Sequence, residues 1–330
     1  LGGDEFAILL SRVRDLEEVE ALSQRLVDAI RRPMLIEDRE LVVQASLGIA
    51  MVNGDRTANA SSLLRDADVA MYAAKERGRA GFAVFDHSMR SRASDRLGLI
   101  ADLHRAIERG EISMAYQPVL NLSDDSIAGV EALVRWMHPT RGAIGPDVFV
   151  KLAEETGQIQ QLGDWVLRTA MHEVQEICAV VPQARDLTLA INVSIRQLER
   201  DDFAESVRMA IDAGNFPGER LVVEITETAL MRDPETLARQ LQLVKDLGAT
   251  IAVDDFGTGY SSLAYLARLP IDIVKIDRSF VDGIGASARD TRIANMIIGI
   301  GASLSLATVA EGVEREEEWE MLRELGCDFA

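Results

Sequence analysis

The chain has 330 residues, of which 48% are hydrophobic and 27% charged, and its 35 Lys plus Arg against 54 Asp plus Glu give a formal net charge of −19. This length excludes a small disulfide-stapled domain and suggests two domains, or one large barrel with a remnant of another domain. The acidic balance argues against long nucleic acid as a partner, so an anionic ligand would need metal cations or a few placed Lys and Arg.

The cysteines and the hydropathy pattern indicate the compartment. Cys178 and Cys327 lie in different segments without CxxC spacing, so neither a disulfide framework nor a thiolate metal cluster is expected. No stretch approaches the roughly 20 apolar residues that span a bilayer. We expect a cytoplasmic location, and leave open that the parent protein is attached to a membrane through a segment before Leu1.

The first 90 residues mix strand and helix patterns. Apolar residues predict a strand over 6–10, a helix over 15–30, a strand over 41–51, a helix over 60–77 and a last strand over 82–85. This order is typical of the second half of a mixed α/β domain. The polar segment 87–95 then marks a domain boundary near residue 90.

Strands and helices alternate over residues 91–330. Predicted strands cover 113–120, 127–136, 187–193, 221–226, 250–254, 272–276 and 306–311, with helical patterns in most of the gaps. Repeated βα units over this length indicate a parallel sheet closed into a TIM-like (β/α)8 barrel, an α/β fold. An open doubly wound sheet is the alternative, although no glycine-rich dinucleotide fingerprint follows any of these strands.

Polar residues fall at or near the carboxyl ends of six predicted strands. They are Glu131, Asn192, Glu224, the adjacent pair Asp254 and Asp255, Lys275, and Glu311. In a barrel these strand ends meet at one mouth, where the active sites of this architecture lie. Carboxylates packed together need compensating cations, and oxygen ligands without His or Cys favour Mg²⁺, Mn²⁺ or Ca²⁺ over Zn²⁺.

This pattern predicts a two-metal site. Asp254 and Asp255 can both turn toward the mouth at a strand-to-loop junction, so that one carboxylate bridges two ions. Two ions roughly 3.5 to 4 Å apart suit in-line displacement at phosphorus, the reaction of a phosphodiesterase. Lys275 either holds the carboxylates in an ion pair or assists the attacking water, and Glu311 is either a further ligand or the base that takes the water proton.

Three features near the predicted metal site, a loop and two charged residues, each allow two interpretations. The run DDFGTGYSSL over 254–263 is either an ordinary βα loop or a mobile substrate loop, since its glycines permit close approach to a ligand. Glu227 has the opposite strand parity to Glu224 and is a candidate to anchor this loop instead of binding metal. Arg135 shares the parity of Glu131 and either contacts phosphate or forms a surface ion pair.

Six motifs occur in order over about residues 96–330. They are Glu131-Ala132-Leu133-Val134-Arg135-Trp136, Asn192-Val193-Ser194, Glu224-Ile225-Thr226-Glu227, the DDFGTGYSSL run, Lys275-Ile276-Asp277 and Glu311-Gly312-Val313-Glu314. Together they resemble the EAL-domain family of bacterial cyclic di-GMP phosphodiesterases. The resemblance implies a TIM-like barrel that hydrolyses cyclic di-GMP to the linear dinucleotide pGpG with Mg²⁺ or Mn²⁺.

The same resemblance implies roles for individual residues. Metal would be bound by Glu131, Asn192, Glu224, Asp254 and Asp255, which together would hold two ions. Lys275 and Glu311 would assist the water. Substrate would be contacted by Gln117, Arg135 and Asp277, and Glu227 would hold the loop.

The first residues resemble the end of a GGDEF diguanylate cyclase domain. Gly2-Gly3-Asp4-Glu5-Phe6 matches the signature turn, and the segments 46–50 and 67–72, with Lys75 and Arg79, match later motifs. The resemblance implies that the turn approaches a guanine nucleotide, which is GTP in a complete domain, that an acidic turn residue binds metal, and that Lys75 and Arg79 contact phosphates. Since the first half of that family precedes the turn, we expect no cyclase activity from these residues alone.

We therefore expect the phosphodiesterase half of a tandem GGDEF–EAL protein, with domains over 1–90 and 91–330. The family pattern continues with a Gln-Gly-Tyr segment after Ala330, so the second domain is expected to be truncated and its activity impaired. A receptor that binds cyclic di-GMP without cleaving it, and a parent protein acting mainly as a diguanylate cyclase, are the alternatives. A homodimer through the EAL domain is a family expectation.

Overall fold

The structure, a computed structural model, describes residues 3–36, 39–52, 59–76, 81–231, 233–258, 266, 268–285 and 287–330. The chain divides into two compact units, Leu1–Leu99 and Ile100–Ala330. Among these described residues, no helix combines the length and the apolar character that crossing a membrane requires.

The first unit contains short strands and longer helices. Its elements are α1 (Leu16–Ile30), β1 (Met34–Ile36), β2 (Arg39–Leu41), β3 (Leu47–Ile49), α2 (Ala60–Glu76), β4 (Phe82–Val84) and the start of α3 (His87–Ala106). β1 pairs antiparallel with β2, and β3 pairs parallel with β4. One apolar cluster joins α2, β4 and the start of α3, and its buried members are Ala70, Ala74, Ala83 and Met89.

Two predicted strands of this unit differ from the structure. Residues 6–10 adopt no regular secondary structure, and Phe6 and Leu9 are exposed. They pair with no strand in the part of the chain that the structure describes, and an extended segment without a partner is not stable in water. The predicted strand over 41–51 is also too long, because only Leu47–Ile49 pairs with β4.

The polar segment 87–95 forms the first half of α3. At its start, Asp86 Oδ1 accepts a hydrogen bond from Ser88 N at 2.7 Å. Met89, one residue further, is buried in the apolar cluster. A helix forms here because a capping carboxylate and one apolar anchor fix its first turn.

The second unit is built on one sheet surrounded by helices. Its strands are β5 (Ile112–Leu120), β6 (Ile127–His138), β7 (Gly142–Ile144), β8 (Thr188–Asn192), β9 (Leu221–Thr226), β10 (Thr250–Phe256), β11 (Ile273–Ile276) and β12 (Ala307–Ala310). Its α-helices are α4 (Pro146–Thr156), α5 (Ile159–Val180), α6 (Ile195–Leu198), α7 (Phe203–Gly214), α8 (Pro234–Lys245), α9 (Arg278–Val281), α10 (Ala288–Leu304) and α11 (Glu316–Leu325).

The strand order is β12-β11-β10-β9-β8-β6-β5, and the short β7 adds to β6. Five neighbouring pairs are parallel, namely β6–β8, β8–β9, β9–β10, β10–β11 and β11–β12. β5 differs from the predicted parallel sheet, because it runs antiparallel to β6. The segment 121–126 between them is too short for a crossover helix, and Asn121 Oδ1 turns it by accepting from Ser123 N at 2.8 Å.

The last residues of the chain join the two edges of this sheet. On the β12 side, Ala310 N donates to Phe329 O at 2.9 Å. On the β5 side, Leu120 N donates to Ala330 O at 2.8 Å, and Ala330 N donates back to Leu120 O at 2.9 Å. These bonds close the sheet into a barrel and confirm the predicted TIM-like α/β fold.

Asp328 holds this closing segment against β12. Its Oδ2 accepts from Thr308 N at 2.8 Å and from Thr308 Oγ1 at 2.9 Å. We expect Asp328→Ala to lower the free energy of unfolding by about 1–3 kcal/mol, because it leaves two donors of a buried residue without their acceptor. Urea unfolding measures the change, with Glu320→Ala on the exposed face of α11 as the control. Equal stability of the two variants would contradict this role.

Candidate active site

An apolar layer lies under the polar residues inside the barrel. It is formed by Ala190, Val222 and Ala252, with Ile273 packed against them. Side chains alternate along a strand, so residues two positions further face the same way. Those residues are Asn192, Glu224, Asp254 and Lys275. The alternation of side chains along the strands thus places the polar groups directly above a layer of mainly small apolar side chains.

Lys275 lies at the centre of these groups. Its Nζ is 2.9 Å from Glu224 Oε2, 3.1 Å from Glu131 Oε2, 3.4 Å from Asp254 Oδ1 and 2.5 Å from Glu311 Oε1. Its side chain is only 4% exposed. One ammonium group therefore contacts carboxylates from four other strands or strand ends.

The charge of this lysine is fixed by its neighbours. Burial alone would lower the pKa of Lys275, but the negative charges of the four carboxylates outweigh it and raise the pKa well above the usual lysine value. The sequence alone left this balance undecided. The carboxylates of the structure favour the charged ammonium.

The pKa values of two carboxylates around Lys275, Glu224 and Glu311, are also raised. Burial raises the pKa of Glu224, and the charges of Glu131 and Asp254 raise it further against the opposing effect of Lys275. Burial likewise raises the pKa of Glu311 to about 7, with Lys275 opposing it and Asp254 adding to it. One lysine is therefore too little positive charge for the mouth, and the site favours additional cations or protons.

A β-bulge brings Asp254 and Asp255 to the same side. Val253 pairs with Val274 while Phe256 pairs with Ile276, so β10 has one extra residue between the two pairs. Asp255 occupies the left-handed region with φ of 55°, which redirects its side chain. The pair lies within β10, where the sequence placed a strand-to-loop junction, and a bulge replaces that junction.

The bulge assembles a group of oxygen ligands. Carboxylate oxygens of Asp254, Asp255 and Glu311 lie within 4.8 Å of one another. Burial raises the pKa of Asp255, and the charges of Asp254 and Asp277 raise it further. Asp277 in turn caps α9 by accepting from Ser279 N at 3.0 Å. Three acidic side chains therefore surround one oxygen-lined position that suits a hard divalent cation.

The remaining predicted residues lie at different distances from this centre. Asn192 Nδ2 donates to Glu131 Oε1 at 2.7 Å, so the amide oxygen of Asn192 is its candidate ligand atom. Gln117 is exposed and is the register partner of Glu131 on β5. Arg135 is exposed further along β6, and its Nη1 donates to Val134 O at 3.0 Å.

Glu227 contacts the backbone at the exit of β10. It is buried, and its Oε2 accepts a hydrogen bond from Gly257 N at 2.8 Å. It thus holds the first residue after β10. The following loop residues 259–265 lie outside the described residues.

Gly257 itself is a position that sequence reasoning missed, because it was treated only as one of two loop glycines. Its φ is 101°, and an added Cβ would lie 2.9 Å from Phe280 Cε2. Both facts require glycine at this exit from the barrel. The signal in the sequence was its position directly after the Asp254-Asp255-Phe256 triplet.

The signature residues of the first unit are only partly described. Gly3 has φ of 60° and forms a turn with Asp4. Glu5 and Phe6 are exposed, as is Lys75 near the end of α2. Gly2 and Arg79 lie outside the described residues.

The fold and site together define a TIM-like barrel with a carboxylate-rich candidate metal centre at the carboxyl ends of its strands. Residues 100–330 match the family model "EAL domain", and residues 1–81 match "Diguanylate cyclase, GGDEF domain". The chain belongs to the EAL-domain family, and the tandem GGDEF–EAL arrangement expected from the sequence is confirmed.

Named relatives extend the comparison. The chain is 40% identical over 328 residues, 99% of its length, to the bifunctional diguanylate cyclase/cyclic di-GMP phosphodiesterase MucR of Pseudomonas aeruginosa, and covers 47% of it. It is 39% identical to the cyclic di-GMP phosphodiesterase NbdA of the same organism, over 99% of this chain and 41% of that protein. The chain thus spans about half the length of these curated relatives.

A solved structure matches the second unit. It is the MucR phosphodiesterase in complex with c-di-GMP, from P. aeruginosa. It is 39% identical, covers 70% of this chain and 93% of that one, and aligns with a TM-score of 0.67.

The raised carboxyl pKa values predict how stability depends on pH. Glu311 keeps its proton in the folded, metal-free protein up to about pH 7, whereas the unfolded chain loses it near the ordinary carboxyl pKa of about 4.3. This stabilisation is complete below that ordinary value and is lost as pH rises through about 7. We expect the free energy of unfolding, measured with EDTA present, to fall by about 2–3 kcal/mol from this source between pH 5 and 8.

Glu311→Gln is the variant that isolates this effect, because it cannot titrate. Urea unfolding at each pH gives the free energies of unfolding of both proteins. The wild type should lose stability relative to the variant as pH rises. A difference that stays constant from pH 5 to 8 would contradict the assignment.

The bulge predicts a conflict between stability and ligand binding at Asp255. Asp255→Gly removes an unfavourable backbone conformation and a negative charge beside Asp254 and Asp277. We expect the metal-free variant to be more stable by about 1 kcal/mol, and Mn²⁺ to stabilise it less than it stabilises the wild type. Thermal unfolding with EDTA and with Mn²⁺ tests both. Asp255→Asn separates charge from backbone strain, and a destabilised glycine variant would overturn the account.

Proposed function

We propose that the second unit is a divalent-cation-dependent phosphodiesterase that hydrolyses cyclic di-GMP to pGpG. The observation that carries the proposal is the convergence of Lys275 with carboxylates of the EAL motifs in one barrel mouth. The relatives named as cyclic di-GMP phosphodiesterases, identical at 39–40% over 99% of this chain, support the substrate. The structural match to the MucR complex supports it further.

The residues present fit divalent cations. Asp254, Asp255 and Glu311 offer oxygen atoms within 4.8 Å of one another, and all are hard ligands. Glu131, Asn192 and Glu224 add three more oxygen donors around Asp254 and Lys275. We propose that these six residues hold two ions, Mg²⁺ or Mn²⁺. Such cations, when bound, promote ionisation of water and neutralise charge on the phosphate.

Lys275 supplies fixed positive charge to the reaction. Its ammonium is buried and held by carboxylates on several sides, so it cannot reorient freely. We propose that its Nζ orients the attacking water and stabilises negative charge that develops on the phosphate. Preorganised charge in a water-poor site is more effective than the same charge in solvent.

Glu311 is the proposed acceptor of the water proton. Its carboxylate lies beside Lys275 Nζ and within 4.8 Å of carboxylate oxygens of Asp254 and Asp255. A carboxylate within hydrogen-bond reach of the attacking water can act as its general base. We propose that one of the two carboxylate oxygens of Glu311 takes this proton as the water oxygen forms its bond to phosphorus and the P–O bond to the ribose oxygen breaks. The leaving ribose oxygen takes up a proton from solvent and departs as a hydroxyl group.

Substrate contacts and loop control are proposed for residues at the rim. Gln117 is exposed on β5 opposite Glu131, and Arg135 is exposed four residues further along β6. Asp277 directly follows β11. We propose that these three contact the dinucleotide. Glu227, bonded to Gly257 N, anchors the loop that follows β10.

The direct test is incubation with cyclic di-GMP and Mg²⁺ or Mn²⁺, with an EDTA control, followed by chromatography of the products. Cation-dependent pGpG is the expected result. Binding of cyclic di-GMP without product would make the unit a receptor and overturn the proposal of catalysis.

Two substitutions test the assigned roles. Glu131→Ala should reduce turnover by at least about 100-fold because it removes a ligand, and Lys275→Ala should lower kcat more than it raises KM. Steady-state rates of pGpG formation give both values. Glu320→Ala serves as the matched control, and wild-type turnover in either site variant would show that its role is wrong.

A further inference from the structure

The turn after β12 starts at a glycine that packs against an arginine. Gly312 has φ of 72°, a conformation that L side chains rarely adopt. An added Cβ would lie 2.5 Å from Arg278 Cγ and 2.8 Å from Arg278 Cδ. The backbone directly after Glu311 therefore rests on the aliphatic stem of Arg278, which belongs to the neighbouring helix α9.

The head of the same arginine holds the other end of the turn. Arg278 Nη2 is 2.8 Å from Glu314 Oε1, and its Nε is 3.3 Å from Asp282 Oδ1. Arg278 thus contacts the turn 312–314 at two points, by its stem on Gly312 and by its guanidinium on Glu314. We call this arrangement the Arg278 clamp.

The far side of the turn is anchored independently of the clamp. Glu318 Oε2 accepts from Glu314 N and from Arg315 N, both at 3.0 Å. Arg315 Nη2 also donates to Asp282 O at 2.9 Å. Loss of Arg278 would therefore leave the start of α11 in place and free only the segment next to Glu311.

That segment carries a side chain of the ligand cluster. Glu311 N donates to Ile276 O at 3.1 Å, and Glu311 Oε1 lies 2.5 Å from Lys275 Nζ. With its amide fixed on β11 and the following Gly312 fixed on Arg278, the backbone of Glu311 is held from both sides. The direction of its carboxylate depends on both contacts.

We infer that Arg278 is a positioning residue for Glu311, and that the Arg278 clamp sets the Glu311 carboxylate against Lys275 and the Asp254–Asp255 pair. The inference rests on the proposed function. Arg278 acts through the turn and not on the substrate, because its guanidinium lies between the carboxylates of Glu314 and Asp282. Exposed ion pairs of this kind add little to stability, so the clamp affects the site more than the fold.

The test compares Arg278→Ala, Glu314→Ala and the double variant with wild type, in the metal-free 330-residue chain and in steady-state hydrolysis. We expect Arg278→Ala to weaken Mn²⁺ binding several-fold, measured by calorimetry, and to lower kcat about tenfold with KM nearly unchanged, because a misplaced group costs rate before affinity. Glu314→Ala should act in the same direction but less, since the stem contact on Gly312 remains. The double variant should be no worse than Arg278→Ala.

Two further variants separate the clamp from a general loss of surface charge or of stability. Arg278→Lys keeps a stem and a charge and should recover part of the loss. Arg208→Ala removes an exposed arginine of α7 that pairs with Glu205 and Asp212, and should leave both Mn²⁺ affinity and kcat unchanged. Urea unfolding of Arg278→Ala should stay close to that of Arg208→Ala.

Each contrary result has a distinct meaning. If Arg278→Ala raises KM while Glu314→Ala has no effect, Arg278 binds substrate directly and the clamp is wrong. If wild type binds Mn²⁺ and cleaves cyclic di-GMP but Arg278→Ala does both equally well, the clamp alone is overturned. If wild type does neither, the proposed function fails and the clamp with it.

Discussion

The contact between the buried ammonium of Lys275 and the carboxylates around it is the interaction on which the rest of the second unit depends. Four acidic side chains in a water-poor mouth repel one another, and one lysine offsets only part of that repulsion. Burial and the repulsion that is not offset together raise the carboxyl pKa values of Glu224 and Glu311. A mouth with this unbalanced charge binds protons or metal cations, and this preference links its electrostatics to the proposed chemistry.

Three backbone features adapt the barrel to this charge. Strand alternation puts the polar layer above the apolar layer, so that the charged groups are supported from below by close packing. The bulge in β10 adds the second aspartate to the same side of the strand. The left-handed glycines at 257 and 312 let the strand exits approach Phe280 and Arg278. The bulge and the two glycines are local departures from regular geometry at the rim, where a rigid sheet can stabilise them.

Much of this arrangement could be predicted from the sequence. The seven long strands of the barrel were located to within two residues, because buried strands with a polar end are distinctive. The bulge at Asp255 and the clamp at Arg278 could not, since both depend on contacts between residues that are distant in the sequence. The strand at 6–10 was predicted from apolar character alone, which does not reveal whether a partner strand is present. The antiparallel β5 could have been predicted from its short link to β6.

The most direct measurement of the central claim is a crystal structure of the protein soaked with Mn²⁺ and cyclic di-GMP, with anomalous scattering recorded at the manganese edge. The account predicts Mn²⁺ bound by Asp254, Asp255 and Glu311, with Lys275 Nζ still among the carboxylates and a phosphate of the dinucleotide beside it. Dinucleotide bound in the mouth, as substrate or as product, with no anomalous signal at these carboxylates would contradict it, provided that the same Mn²⁺ concentration supports hydrolysis in solution.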